Sequence, residues 1–194
     1  MKLTADISNA KGESLPGAVF LRGASVGMLV LLQPADIPKG SADEKYVLLT
    51  VQPRVAAGAL QFVELPAGMV DNGTFTGSAA NEIKEELGLD IPENELINLT
   101  ELAIPNDAVE ALPQAMFPSA GGCDEYIPLF LHEKRVPRET LKEWTGKLTG
   151  LREEGEKITL KLVKLEDLWW EAGRDAKALG AWALYSGLKA TGKL

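Results

Sequence analysis

Short apolar runs dominate the first third of the chain. Ala18-Val19-Phe20-Leu21, Val26 to Leu32, Tyr46 to Val51 and Leu60 to Leu65 are partly β-branched and are separated by Gly, Pro and Asp clusters, which predicts strands joined by turns. Residues 34–41 read as a loop, and Ala56-Ala57-Gly58 as a tight hairpin connection. The period then changes. From Ser78 to Leu87, Ala79, Ala80, Ile83 and Leu87 recur at helical spacing, with Gly88 where a left-handed C-terminal cap is wanted. Leu96 to Ile104 and Tyr126 to His132 read as further strands, Pro137 to Trp144 as a short helix with proline in its first turn, and Ile158 to Leu165 as a half-buried strand. Asp175 to Ala190 closes the chain as a helix rich in small residues. No repeat, low-complexity tract or linker interrupts this order, so the expectation is one α+β domain over 1–194, a mixed or antiparallel sheet flanked by helices.

Composition narrows the chemistry. The 194 residues carry 20 basic and 28 acidic side chains, a formal charge of −8, which argues against a nucleic-acid partner and against a basic membrane-binding patch. The strongly apolar stretch Val26 to Leu32 is far shorter than the roughly 20 residues needed to cross a bilayer. Met1 to Asp6 does not read as a signal peptide, so the expected compartment is the cytoplasm, or an organelle if a presequence has been removed. One cysteine and one histidine exclude a disulfide framework, a cysteine-cluster zinc site and a multi-histidine metal site. Chemistry must lean on carboxylates.

Those carboxylates are concentrated in one place. Glu82, Glu85 and Glu86 stand at i, i+3 and i+4 of the predicted helix, so three acids share one stripe and repel one another. Lys84 lies off the stripe. The face is therefore either spread into solvent or holds a cation, and hard oxygen ligands suit Mg²⁺ or Mn²⁺. The preceding strand ends in Glu64-Leu65-Pro66-Ala67-Gly68, a strand, loop and helix arrangement in which a backbone carbonyl and the helical acids can converge.

The same segment resembles the Nudix box, G-x5-E-x7-R-E-U-x-E-E-x-G-U with U aliphatic. Glu82, Ile83, Glu85, Glu86, Gly88 and Leu89 match its second half in order. Similarity to the plant-type ADP-sugar/UDP-sugar diphosphatases of the Nudix superfamily extends through residues 16–20, 64–68, 117–125, 149–156 and 175–177. Two departures stand out. Asn81 replaces the box arginine, and it lies thirteen steps from Gly68 where the pattern has fourteen; the isolated first glutamate is missing as well. Asn81 is expected to hydrogen-bond a box glutamate without neutralising it.

The resemblance implies a Nudix-type α/β/α sandwich with a mixed sheet, preceded by N-terminal strands over about residues 1–22 that form a homodimer. It implies Mg²⁺-dependent (or Mn²⁺-dependent) hydrolysis of a nucleoside diphosphate sugar of the ADP-glucose, UDP-glucose or ADP-ribose class. The metal ligands it implies are Glu82, Glu85, Glu86 and the Ala67 carbonyl. Glu125 on the Gly121-Gly122 loop corresponds to the catalytic base, with Asp124 in reserve and Glu85 sharing the catalytic site. Arg54, Gly68 and Arg152 correspond to substrate-binding positions. A different class of function, a nucleotide-sugar binding or regulatory module that lost turnover through Asn81 and the shortened loop, stays open. Cys123, without a histidine partner, reads as a packing residue, His132 as structural, and Trp169, Trp170 and Trp182 as core or interface residues.

Overall fold

The computed structural model describes residues 1–70, 74–105, 111–151, 153 and 157–194. Two small antiparallel pairs come first: β1 (Lys2–Thr4) with β4 (Ala18–Phe20), and β2 (Ile7–Ser8) with β3 (Ser14–Leu15). Leu3, Ile7, Leu15 and Phe20 are exposed on this arm.

The main sheet is built on β5 (Ser25–Pro34), β6 (Tyr46–Arg54), β10 (Leu129–Val136) and β12 (Ile158–Lys164). Among the described residues its order is β11-β12-β6-β5-β10-β9, where β9 is Ile97–Asn98 and β11 is Leu148–Thr149. Among the described strands of this sheet only the β5–β10 pairing is parallel, which makes the sheet mixed. The first half of β6 pairs with β5 and its second half with β7 (Ala59–Glu64). The first residues of β5 meanwhile pair with β8 (Ala67–Met69). β5 and β6 thus diverge, and the corner at Leu65-Pro66 turns the chain from one to the other inside the fork.

Helices cover both faces. Successive residues of β5 alternate between two apolar clusters: Leu29 and Leu31 face one side with α5 (Ala176–Ala190), while Met28, Val30 and Leu32 face the other with α1 (Phe75–Glu82) and α3 (Arg138–Trp144). A strand buried on both faces reads as a continuous apolar run, which is why Val26 to Leu32 shows no polar alternation. The result is the α+β fold with the α/β/α layering that was expected.

Four expectations change. Leu96 to Ile104 is not a strand: after β9 the chain turns into α2 (Leu99–Ala103), because the Asn98 side chain accepts from the Glu101 N–H and caps a helix. The strand expected at Tyr126 to His132 begins at Leu129 and continues to Val136. Trp169 and Trp170, in α4 (Leu168–Glu171), are 54% and 55% exposed rather than in the core, whereas Trp182 packs against the α5-side cluster. Pro137 is the residue before α3 rather than inside its first turn.

His132 is buried in β10, with neither ring nitrogen hydrogen-bonded among the described residues and Glu95 Oε2 3.8 Å from Nδ1. Burial pushes its pKa below the ordinary value of 6.5. The unfolded chain therefore takes up a proton that the folded chain refuses, so stability is full above pH 6.5 and falls as pH drops below it. Chemical denaturation between pH 7.5 and pH 5 is expected to show this slope in the wild type and a shallower one in His132→Leu; equal slopes would contradict it.

Candidate active site

Helix α1 is capped by Thr74, whose side chain accepts the Gly77 N–H at 3.0 Å. Beyond Glu82 it widens into a π turn over Ile83–Leu87. Gly88 then adopts the left-handed conformation (φ 69°), and the Leu89 N–H reaches back to the Ile83 carbonyl, closing the helix where Gly88 was expected to end it. A π turn closes i to i+5 and turns less per residue, so the residue three positions on stops further short of a full turn than in an α-helix. Glu85 is consequently exposed, while Glu82 is half-buried and Glu86 buried at 3% exposure. The single stripe of three acids is replaced by two acids facing the sheet and one facing outward. No group of three or more acidic, histidine or cysteine side chains gathers at metal-binding distance among the described residues.

Glu82 and Glu86 converge on the same short segment of β8. The Ala67 N–H donates to Glu86 Oε2 at 3.2 Å, and Gln52 Nε2 approaches Oε1 at 3.5 Å. The Glu82 carboxyl lies over Gly68 so closely that a Cβ there would fall 1.6 Å from Oε1. Asn81, by contrast, is exposed and hydrogen-bonds no described residue, so backbone and amide groups orient Glu86 in place of the expected asparagine contact. Two carboxylates set against neighbouring residues of one strand, Glu86 at Ala67 and Glu82 over Gly68, offer hard oxygen donors that fit Mg²⁺ or Mn²⁺, ions that retain several waters.

Ala67 and Gly68 also line a cleft of about 480 Å³ that contains Arg54 and Glu125. Glu125 is held at Oε1 by Arg22 Nε (2.7 Å) and Ser25 Oγ (3.0 Å), and Oε2 has no hydrogen-bond partner among the described residues. Asp124 is occupied differently. Its carboxylate accepts the backbone N–H groups of Arg22 (2.7 Å) and Gly23 (3.2 Å), which hold it below the usual carboxylate range. Cys123 lies on this loop bridged to Phe20, consistent with packing.

Arg54 ends β6 with its Nε 2.7 Å from Glu64 Oε1, leaving both terminal nitrogens without a partner among the described residues. The other Glu64 oxygen accepts Lys177 Nζ at 3.2 Å. Lys177 Nζ also donates to Asp175 Oδ1 at 2.9 Å, and Asp175 caps α5 by accepting the Lys177 N–H. Burial alone pulls the Lys177 pKa down, but Asp175 and Glu64 outweigh it and the ammonium is held above its ordinary value.

The fold thus places Arg54, Ala67, Gly68 and Glu125 in one cleft and sets Glu82 and Glu86 against its wall; Glu85 stands apart. Arg152, together with Asp71, Asn72 and Gly73 of the shortened box, lies outside the described residues. Arg22, Ser25, Glu64, Asp175 and Lys177 were not singled out as site residues. An acid ending the apolar run Leu60 to Leu65 was a signal for Glu64. Arg22 offered none, since it meets Glu125 across 103 positions of chain.

Comparison with known proteins adds three findings. The NUDIX domain family model matches residues 26–183. Over 188 residues the chain is 39% identical to Nudix hydrolase 14, chloroplastic, from Arabidopsis thaliana, covering 95% of this chain and 56% of that protein, so it spans little more than half of that relative's length. A crystal structure of an ADP compounds hydrolase superposes with a TM-score of 0.60 at 18% identity, covering 97% of this chain and 86% of that one, a likeness of fold.

Proposed function

The chain belongs to the Nudix family, and from that premise we propose that this hydrolase cleaves the diphosphate of a nucleoside diphosphate sugar, of the ADP-glucose, UDP-glucose or ADP-ribose class. Residues 1–194 act in this reading as one Nudix domain. The observation that carries it is that Glu82 and Glu86 converge on Ala67–Gly68, the same segment that lines the cleft with Glu125 and Arg54. The relative is named a Nudix hydrolase, which supports hydrolysis as the reaction class.

In this reading Glu82 and Glu86 hold Mg²⁺, with the Ala67 carbonyl as a further ligand and Glu85 contributing from the exposed side. Held there, Mg²⁺ would supply charge neutralisation for the diphosphate and a water of lowered pKa. Arg54 presents its terminal nitrogens to the diphosphate, a pairing that suits a planar guanidinium. Gly68 lets the substrate approach the backbone, and Arg152 is a further phosphate contact. Glu125, through its unengaged Oε2, accepts a proton from the attacking water as that oxygen bonds to one phosphorus. The bridging P–O bond breaks, leaving a nucleoside monophosphate and a sugar phosphate. Asp124 is less suited to be the base because its carboxylate is spent on the Arg22-Gly23 turn.

The exposed apolar side chains of the N-terminal arm support pairing with a second copy of the chain. No described helix is long and apolar enough to cross a membrane, and the relative's chloroplast designation favours an organelle over the cytoplasm.

The exposure of Asn81 favours the second reading, a binding or regulatory module. Incubation with ADP-glucose, UDP-glucose and ADP-ribose, with Mg²⁺ or with EDTA, separates the two. The expected result is metal-dependent release of nucleoside monophosphate, reduced roughly 10²- to 10⁴-fold in Glu125→Gln. Binding of these compounds without metal-dependent turnover would favour the module.

A further inference from the structure

The charged group behind Arg54 is more elaborate than a single ion pair needs. Glu64 and Asp175 are 3% and 4% exposed, and Lys177 bridges them. Asp175 Oδ2 in turn accepts the Leu65 N–H at 2.9 Å, which fastens the Leu65-Pro66 corner, and so the Ala67–Gly68 segment two residues on, to the start of α5. Two acids and two bases balance in charge.

The division of Glu64's two oxygens matters most. Arg54 touches Oε1 through Nε, and Lys177 occupies Oε2. Were Oε2 vacated, a buried carboxylate oxygen would be left unsatisfied, and the geometry best able to satisfy it is the bidentate guanidinium–carboxylate pair. Arg54 would then turn a terminal nitrogen inward onto Glu64 and lose one of the two it presents to the cleft. A lysine at 177 prevents this by filling Oε2 itself.

We propose that Lys177 is a positioning residue for the diphosphate: by occupying Glu64 Oε2 it keeps Arg54 bound through Nε alone, so that the terminal nitrogens of Arg54 stay directed at the substrate. This deepens the reading above and rests on it for the role of Arg54. A merely structural lysine would affect the folded fraction. Lys177 affects grip on a diphosphate, and does so only while Arg54 is present.

The experiment is calorimetric binding of ADP, as a diphosphate probe, to wild type, Lys177→Met, Arg54→Ala and the double variant, in Mg²⁺ and in EDTA, with folding checked by circular dichroism. Lys177→Met is expected to weaken ADP binding roughly tenfold, the loss of a charge-assisted contact, and to add little once Arg54 is alanine. If Lys177→Met does not fold, Glu64→Gln/Lys177→Met removes the carboxylate that would capture Arg54 while its amide carbonyl still accepts Arg54 Nε, and it is expected to bind ADP with near-wild-type affinity. Wild-type affinity in folded Lys177→Met, a tenfold loss in folded Glu64→Gln/Lys177→Met, full additivity with Arg54→Ala, or no ADP binding by wild type overturns the proposal. Because binding needs no turnover, a wild type that grips ADP yet hydrolyses no nucleotide sugar would refute the proposed reaction and leave the role of Lys177 standing.

Discussion

Replacing Glu86 by glutamine is expected to abolish nearly all metal-dependent hydrolysis while leaving the fold intact. Glu86 is almost wholly buried and sits where the Ala67 N–H and the Gln52 amide approach its two oxygens. A carboxylate on the sheet side of the helix is a hard oxygen ligand, and in the proposed site it would be one of those that hold a divalent ion. Glutamine has the same size and its carbonyl still accepts the Ala67 N–H, so packing is retained. The negative charge that would hold the ion is gone. Losing several kcal/mol of transition-state stabilisation corresponds to about a 10³-fold fall in kcat/KM. The rise in Tm on adding Mg²⁺ should disappear. Initial rates across a Mg²⁺ titration, beside thermal melts with and without the ion, check both halves. Near-wild-type turnover in a folded Glu86→Gln variant would remove Glu86 from the metal site.

A single methyl group at Gly68 is expected to do comparable damage by a different route. β8 runs extended beside β5, with Gly68 opposite Val26, so alanine fits the backbone there without strain. Space is the difficulty. The added Cβ would fall 1.6 Å from Glu82 Oε1, 1.7 Å from Cδ and 2.3 Å from Cγ, so the whole outer half of the Glu82 side chain must leave. Because that side chain is flexible, the displacement should cost little stability, on the order of 1 kcal/mol. It removes one of two converging carboxylates from its place, and misplacement of catalytic machinery by about 1 Å is enough to cost roughly 10²-fold in rate. Gly68→Ala should therefore melt near the wild-type temperature, need more Mg²⁺ for half-maximal rate and turn over about 10²-fold more slowly. A Gly68→Ala enzyme with unaltered Mg²⁺ dependence would show that Glu82 does not depend on this close approach.

Legibility in the sequence followed the range of the interactions. The apolar runs marked the long strands because burial is written into each residue's own polarity, and Gly88 marked the helix end because a left-handed residue favours glycine wherever it occurs. The helical acids were readable as a group. Their division was not: a π turn rather than an α turn over Ile83–Leu87 sends Glu85 outward and Glu86 inward, and nothing in the local residue types announces that choice. The α2 helix was missed for a related reason. Leu96 to Ile104 has strand-like residues, yet the Asn98 cap and burial of Leu99 and Thr100 favour a helical turn.

What the chain alone determined about this protein is its class and its inventory: an acidic α+β protein with two long buried strands and a glutamate-bearing helix that follows a Pro-Ala-Gly corner. Those features depend on polarity and on neighbours within a few residues, which any stretch of sequence displays. Only the tertiary structure decided which acids face inward, that Arg22 and Ser25 hold Glu125, and that Lys177 reaches Glu64 across 113 positions. Those contacts arise from the divergence of β5 and β6 and from the docking of α5 against the Leu65-Pro66 corner, and packing between distant segments leaves no periodicity along the chain to read.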